Sequence, residues 1–412
     1  MRTPVTNRKF TGKLNVDGKK FSSAIKPLIS VMGFDGYLYV KGSQKEKEIS
    51  LSAVGKSGSF FFETKILKLD GVGEGISDDI ECCLSRDAGQ HFNKILTDTK
   101  ITSFEVSCKD SSFDVLTSSL HKIKTREEKL VGNTSIPILE KIPKTETNII
   151  NKAIDSFSKG EVIKANCAQL RDAFSVTVSS TAQPGTKPDL FMECVHFCVK
   201  EGNILDFFGT DGVRASLYTR KFDGAPQKSL IGNYAIGYHL ANFLSKHLNS
   251  ELTAEIGVVS GNTIVFKSED TILGGVLVEV ATPQYEKVFS IKTDSSVTID
   301  KSTILGMLNS VFSFVEGDSY HKRACMKLEK GMLSLVNPKK PKDYRSGLSV
   351  DYAKKFSVDI NTEKFSSLLR TFRGSKDIII GFNTDGSVDH LVFESKEDEN
   401  VKGLLVQLSP VF

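Results

Sequence analysis

The sequence predicts an α+β protein of three tandem domains, each made of two strand–helix–strands units with antiparallel sheets on one side and short helices on the other. Three observations predict it. A chain of 412 residues exceeds what one hydrophobic core organises. Four segments repeat one strand-to-helix layout at one spacing. A charged residue followed by Gly and alternating apolar residues then recurs downstream, as a turn into antiparallel strands does.

The repeated layout begins at Leu14-Asn15-Val16, Ile163-Lys164-Ala165, Val297-Thr298-Ile299 and Val358-Asp359-Ile360. The helix anchors that follow are Phe21, Leu170, Ile304 and Phe365, each seven residues after the first apolar position. Alternation gives a short strand, and the change to helical spacing gives an amphipathic helix. The stripes are Phe21, Ile25, Leu28, Ile29 and Met32; Leu170, Ala173, Phe174 and Thr177; Ile304, Leu308, Val311, Phe312 and Val315; and Phe365, Leu368, Leu369 and Phe372. Two less regularly introduced helices fit between them, over Ala88, Phe92, Ile95 and Leu96, and over Ile236, Leu240, Phe243, Leu244 and Leu248. Six helices, two per domain, result.

The turn signals are Asp35-Gly36-Tyr37-Leu38, Glu201-Gly202-Asn203-Ile204 and Lys330-Gly331-Met332-Leu333, with Asp385-Gly386 after the fourth unit. Lys122 to Lys144 is charged and holds Pro137 and Pro143, which suits a connector. Pro283 to Ile291 is a second connector, and Asn148 to Lys159 adds a short helix before the second domain. The expected domains are therefore 1–143, 144–290 and 291–412.

Composition excludes several classes. With 39% hydrophobic and 25% charged residues the chain is neither disordered nor fibrous. A formal charge of +4 permits nucleic-acid contact without the density of a dedicated basic arm. The seven cysteines, with Cys82-Cys83 adjacent and Cys194 and Cys198 singly spaced, form no metal-ligand pattern and read as reduced core thiols. Met1 to Lys13 is polar and basic, and no apolar run reaches the roughly 18 residues that span a bilayer, so a cytoplasmic protein without a membrane partner is expected. No cofactor is expected. A Walker loop, a His-Glu-x-x-His helix and a Gly-x-Ser-x-Gly elbow are all absent from the sequence, and its histidines are scattered.

Three segments then occur in order: Gly209-Thr210-Asp211-Gly212-Val213-Arg214-Ala215, Thr282-Pro283-Gln284-Tyr285-Glu286-Lys287-Val288-Phe289, and the terminal Leu405-Val406-Gln407-Leu408-Ser409-Pro410-Val411-Phe412. Their order and spacing over roughly 145–412 resemble the β subunit of bacterial DNA polymerase III, the β sliding clamp. Val213 stands where that family usually has His, and the chain is longer than usual, with extra residues at the N-terminus and near 120–165. The departures resemble a divergent, phage-type member.

The resemblance implies a head-to-tail homodimer closing into a six-domain ring around duplex DNA, without enzymatic activity. It implies DNA polymerase and clamp loader as partners. A cleft between the second and third domains would receive a peptide carrying Gln and a Leu-Phe pair. Carried over, the cleft holds Thr210, Gly212, Val213, Arg214, Pro283, Lys287, Val288, Leu408, Pro410, Val411 and Phe412, with Met192 alongside. Gly212, Val213 and Val288 suit an apolar anchor, and Arg214 and Lys287 a peptide's polar edge. The alternative at these positions is a plain domain interface.

A sliding protein needs backbone attraction without base reading. The basic residues opposite or flanking the apolar stripes are Lys19, Lys26, Lys94, Arg171, Lys246 and Arg370, the candidate DNA-facing set. The helix after Lys301 offers Ser302, Asn309 and Ser313 instead. Two other readings compete. One is a clamp-like adaptor that forms no ring. The other follows from Phe208 to Arg214, which also resembles a phosphoglucosamine mutase motif; that enzyme needs a serine loop and an acidic magnesium site, which the sequence lacks.

Overall fold

The structure is a computed structural model that describes residues 13–16, 18–32, 36–55, 61–71, 75–77, 79–98, 101–109, 112–123, 126–137, 143–157, 160–187, 189–222, 228–249, 251–259, 262–312, 322–336, 345–352, 355–383 and 390–406. Eight α-helices and four antiparallel sheets lie among them. The helices are α1 (Gly18–Val31), α2 (Arg86–Asp98), α3 (Lys144–Phe157), α4 (Cys167–Val178), α5 (Tyr238–His247), α6 (Tyr285–Phe289), α7 (Lys301–Phe312) and α8 (Thr362–Leu369). The chain divides into two compact units, 1–162 with 254–276, and 163–253 with 277–412.

All four repeated segments are strands followed directly by helices: Lys13–Val16 before α1, Ile163–Asn166 before α4, Ser295–Asp300 before α7 and Phe356–Asn361 before α8. Local chemistry sets the junctions. Asn166 caps α4 by accepting from the backbone N–H groups of Ala168 at 2.8 Å and Gln169 at 3.3 Å. Asn361 does the same for α8, accepting from the Lys364 N–H at 2.9 Å, and so satisfies an amide that has no partner within the helix. The predicted stripes face inward. Phe21, Ile25 and Leu28 of α1, Leu170, Ala173, Phe174 and Thr177 of α4, Ile304, Leu308 and Val311 of α7, and Phe365, Leu368 and Leu369 of α8 are all buried. Each large apolar side chain contributes roughly 2 kcal/mol by leaving water. The helices pack as pairs, α1 with α2, α4 with α5, and α7 with α8.

In the first unit, one sheet runs in the order Gly75–Ile76, Lys13–Val16, Ile101–Lys109, Ser112–Ile123, Arg126–Pro137. Another contains, side by side, Thr253–Val259, Thr263–Ser268, Thr271–Val276, Phe61–Lys68, Glu48–Gly55, Tyr37–Ser43 and Ile80–Ser85. Ile150, Ala153 and Phe157 of α3 close a core against Tyr37, Tyr39, Val54, Phe62, Cys83, Val265 and Ile272.

In the second unit, an eight-stranded sheet runs Gly232–Gly237, Cys194–Lys200, Ile204–Thr210, Arg214–Lys221, Val401–Val406, His390–Ser395, Asp377–Phe382, Ser295–Asp300. Its centre pairs Arg214 with Leu405 and Tyr218 with Val401, which sets the last described strand beside the middle of the chain. A four-stranded sheet runs Arg345–Ser349, Met332–Val336, Arg323–Glu329, Phe356–Asn361.

Three sequence expectations differ from the structure. Lys122 to Lys144 is not a bare connector. Most of it is the strand Arg126–Pro137, which pairs antiparallel with Ser112–Ile123. α3 is the extra helix foreseen at 148–159, whereas α6 is a helix inside the segment taken as the second connector. Gly36 does not close a hairpin. It precedes the strand Tyr37–Ser43, where a Cβ would collide with the Val54 carbonyl oxygen.

The other two turns behave as read. Lys330 (φ 52°) and Gly331 (φ 70°) form the two-residue link between Glu329 and Met332. Gly202 (φ 76°) and Asn203 (φ 64°) turn the chain between Lys200 and Ile204. Asp35, Asp385, Gly386, Ser313, Val315 and the side chains of Phe92, Ile95 and Leu96 lie outside the described residues. Cys82, Cys83, Cys167, Cys194 and Cys198 are buried thiols. Among the described residues no helix is long and apolar enough to cross a membrane, and no group of His, Cys, Asp and Glu is placed to hold a metal ion.

Candidate functional site

The site is organised by one turn in the second unit. Thr210 ends a strand, Arg214 opens the next, and Thr210 pairs with Ala215 across them. Gly212 sits at φ 81°, a left-handed conformation that glycine adopts without a Cβ penalty. Thr210 Oγ1 donates to the Arg214 carbonyl at 2.8 Å and accepts from the Gly212 N–H at 3.1 Å.

The Asp211 carboxylate lies inside the turn, 2% exposed. Its Oδ1 accepts from the backbone N–H groups of Val213 at 3.1 Å and Arg214 at 3.0 Å. Its Oδ2 accepts from Arg214 Nε at 3.2 Å and from Lys364 Nζ, in the first turn of α8, at 2.6 Å. Burial pushes this carboxyl up, but the two cations and the amide donors outweigh it and hold Asp211 below the usual carboxylate range. Arg214, placed by sequence at the polar edge of a bound peptide, is itself buried beneath the turn, 9% exposed. Burial lowers its guanidinium from the ordinary value against the pull of Asp211, and the group remains a cation at neutral pH.

Other elements converge on the same turn. The Val406 N–H donates to the Val213 carbonyl at 2.8 Å, which holds the end of the last strand there with Val406 39% exposed. Met192 lies over the turn, its Cε 3.4 Å from where a Gly212 Cβ would be. It belongs to the 3-10 segment Leu190–Glu193, whose Leu190 is 51% exposed. Met192, Gly212, half-buried Val213 and Val406 thus form a small, partly apolar surface at one end of the sheet.

His196 lies one strand away and is fully buried, its Nε2 3.0 Å from the Phe191 carbonyl oxygen and its Nδ1 3.3 Å from Thr282 Oγ1. A carbonyl only accepts, so Nε2 carries the proton and the Thr282 hydroxyl donates to Nδ1. Pro283 follows, and its carbonyl accepts from the Tyr285 N–H at 2.8 Å as α6 begins.

Helix α6 is pinned to the sheet. Tyr285 stacks on Phe208 with ring centroids 5.4 Å apart, and its hydroxyl donates to Asp206 Oδ2 at 3.0 Å. Lys200 Nζ bridges Asp206 Oδ2 at 2.5 Å and Glu286 Oε1 at 2.6 Å. Partial burial lowers the Lys200 ammonium, but its two carboxylate partners outweigh that and raise it above the ordinary value. Val288 is half-buried against the core of Cys198, Phe208, Ala215, Leu217, Tyr285, Val392 and Leu404, and Lys287 is exposed. Leu408, Pro410, Val411 and Phe412 lie outside the described residues.

The candidate DNA-facing residues lie away from the buried stripes. Lys26 on α1, Lys94 on α2, Lys246 on α5 and Arg370 at the end of α8 are exposed, and Arg171 on α4 is half-buried. The Lys19 side chain lies outside the described residues. Ser302 and Asn309 of α7 are exposed.

Sequence reasoning passed over Lys364, His196, Thr282 and Arg373. Arg373 Nη2 donates to Ser175 Oγ at 2.6 Å, and its Nη1 lies 3.6 Å from Asp172 Oδ1, so it ties the segment after α8 to α4. The Asp211-x-x-Arg214 spacing carried a local signal for that pair, but no sequence signal joins Asp211 to Lys364 or His196 to Thr282.

No protein-family model matches the sequence, and no curated protein sequence matches it. Solved structures do resemble the fold. A DNA polymerase sliding clamp from Pseudomonas aeruginosa, crystallised with ligand, gives a TM-score of 0.76 at 12% identity over 97% of this chain and 100% of that one. A putative DNA polymerase III β subunit from Eubacterium rectale gives 0.75 at 15% identity over 96% and 99%. The sliding clamp of Bacillus subtilis gives 0.73 at 13% over 97% and 100%. Along nearly its whole length, the chain has the fold of the bacterial DNA polymerase III β subunit, the sliding clamp.

Proposed function

We propose that the chain is a DNA sliding clamp, a cytoplasmic, non-enzymatic processivity factor that encircles duplex DNA as a homodimeric ring. The observation that carries the reading is a fold likeness to solved clamps over 97% of the chain. The three helix pairs, each behind antiparallel sheet, support a division into clamp domains at 1–143, 144–290 and 291–412. In that arrangement Lys19, Lys26, Lys94, Arg171, Lys246 and Arg370 attract the phosphate backbone without reading bases, as sliding requires. The surface around Gly212, Val213, Met192 and Val406, with Thr210, Arg214, Pro283, Lys287, Val288 and the terminal Leu408, Pro410, Val411 and Phe412, receives a partner peptide from DNA polymerase or clamp loader. Arg214 supports the turn from beneath.

The test is processive synthesis on primed circular DNA with a cognate polymerase and loader. Product length is expected to rise on the circle and not on a short linear template, from which a ring slides off. Equal stimulation on both would overturn the topological mechanism. A monomeric mass in solution, with stimulation retained, would favour an adaptor that forms no ring.

A further inference from the structure

We propose that His196 is the positioning residue of the partner site, holding the Leu190–Glu193 segment that carries Met192 in register with the Thr282–Pro283 connector that leads into α6. The proposal rests on the reading of this surface as a peptide site.

The imidazole is 0% exposed and both ring nitrogens are used. In the neutral Nε2–H form it gives one donor to Phe191 and one acceptor to Thr282, and it thereby joins two segments that are far apart in sequence. Each segment touches the site at its other end. Met192 lies over Gly212, and Pro283 accepts the first amide bond of α6, which carries Lys287 and Val288. A rim-to-rim bridge of this kind sets the separation an incoming side chain meets. A phenylalanine would fill the ring's volume and make neither bond.

The surroundings favour the neutral form. Of the charged groups on the elements around the ring, Glu193 Oε1 accepts from the Gly185 N–H at 2.6 Å, Asp206 is held by Lys200 and Tyr285, and Glu279 is exposed. Burial pushes the imidazole below its ordinary value, against the Phe191 carbonyl. Protonation turns the Thr282 hydroxyl from donor to acceptor and puts a charge in a buried site, which burial disfavours. Acid therefore favours states in which the ring is released to water, and the bridge with it.

The experiment uses the full chain and a fluorescein-labelled peptide carrying Gln and a Leu-Phe pair, with anisotropy read from about pH 8 down to about pH 5. His196→Phe and Thr282→Val are each expected to weaken binding about tenfold near neutral pH, and the double variant no more than either alone, since both remove one bridge. The acid loss seen in the wild type should be missing from His196→Phe, which has no imidazole to protonate. Folded variants that bind within about twofold of the wild type, or a His196→Phe variant that keeps its pH profile, would overturn the proposal. If His196→Phe does not fold, Thr282→Val carries the test. Absence of peptide binding by the wild type would instead sink the reading of the site, and the bridge is then judged by amide exchange. Faster exchange at both Met192 and Tyr285 in Thr282→Val upholds it, and unchanged exchange overturns it.

Discussion

Lys364 Nζ lies 2.6 Å from Asp211 Oδ2, so a side chain at the start of α8 holds the carboxylate that shapes the Thr210–Arg214 turn. Asp211 and Arg214 are buried, whereas Lys364 keeps 36% of its side-chain exposure, so Arg214 is the partner whose loss of a counter-ion costs most. The carboxylate is therefore the keystone of the turn, and its charge matters more than its hydrogen bonds.

Asp211→Asn keeps an acceptor for the Val213 and Arg214 amides but leaves a buried cation without its anion. The expected loss is on the order of 3 kcal/mol, read as faster native-state hydrogen exchange in the strand Arg214–Lys221. The wild-type contribution is full above the unfolded carboxyl value of about 3.9 and disappears as pH falls through the lowered folded value. The variant should lack that acid-dependent loss; a change below about 1 kcal/mol would mean the pair is solvated.

Gly212→Ala should cost about 1 kcal/mol, because alanine must occupy the left-handed region at φ 81°. The added Cβ meets only Met192 at ordinary contact distance, so the cost is conformational rather than steric. Thermal denaturation with no shift in the transition would show that the turn takes another conformation.

Glu63 gives the opposite pH behaviour in the first unit. It is 3% exposed, and its Oε2 has no hydrogen-bond partner among the described residues. Burial raises its carboxyl from 4.5 to about 7, Lys65 pulls it down and Asp270 adds to the rise. Because the folded value lies above the unfolded one, the penalty is nil below pH 4.5, grows up to about pH 7 and is complete above it. Glu63→Gln should therefore stabilise the unit at alkaline pH by up to about 3 kcal/mol, with the advantage gone in acid. A stability difference that does not vary with pH would contradict this account.

Asn361→Ala removes the cap of α8 and should cost about 1 kcal/mol. Lys364 is the residue whose amide the cap holds, so the same substitution should loosen the Asp211 contact. Exchange rising in α8 but not in the Thr210–Arg214 turn would show that the two are uncoupled.

If α8 and its neighbours face DNA, Arg370→Gln should reduce the slope of log affinity against log salt by about 1 without changing sequence preference. Fluorescence anisotropy with two unrelated duplexes at several salt concentrations measures it. An unchanged slope would remove Arg370 from the DNA-facing set.

The amino-acid order alone was enough for the elements whose signals are local. The strand-then-helix units came through because alternation and helical spacing are properties of a few neighbouring residues, and Phe21, Leu170, Ile304 and Phe365 are all buried as their spacing requires. Turns at Gly202 and Gly331 were legible for the same reason. The five-residue α6 was not, since it is too short for a periodic stripe and is held by Tyr285 on Phe208 and Asp206. Nor was the strand Arg126–Pro137, which is defined by its pairing with Ser112–Ile123 rather than by a pattern of its own.

The site required the folded chain. Asp211 meets Lys364 because α8 packs on the strand that Arg214 opens, and His196 meets Thr282 because His196 pairs with Ala235, whose carbonyl accepts from the Val278 N–H. In the unfolded chain each of these groups is hydrated and indifferent to the others. Excluding water makes an unpaired charge or an idle ring nitrogen costly, and that cost, absent from any local pattern, selects the partners.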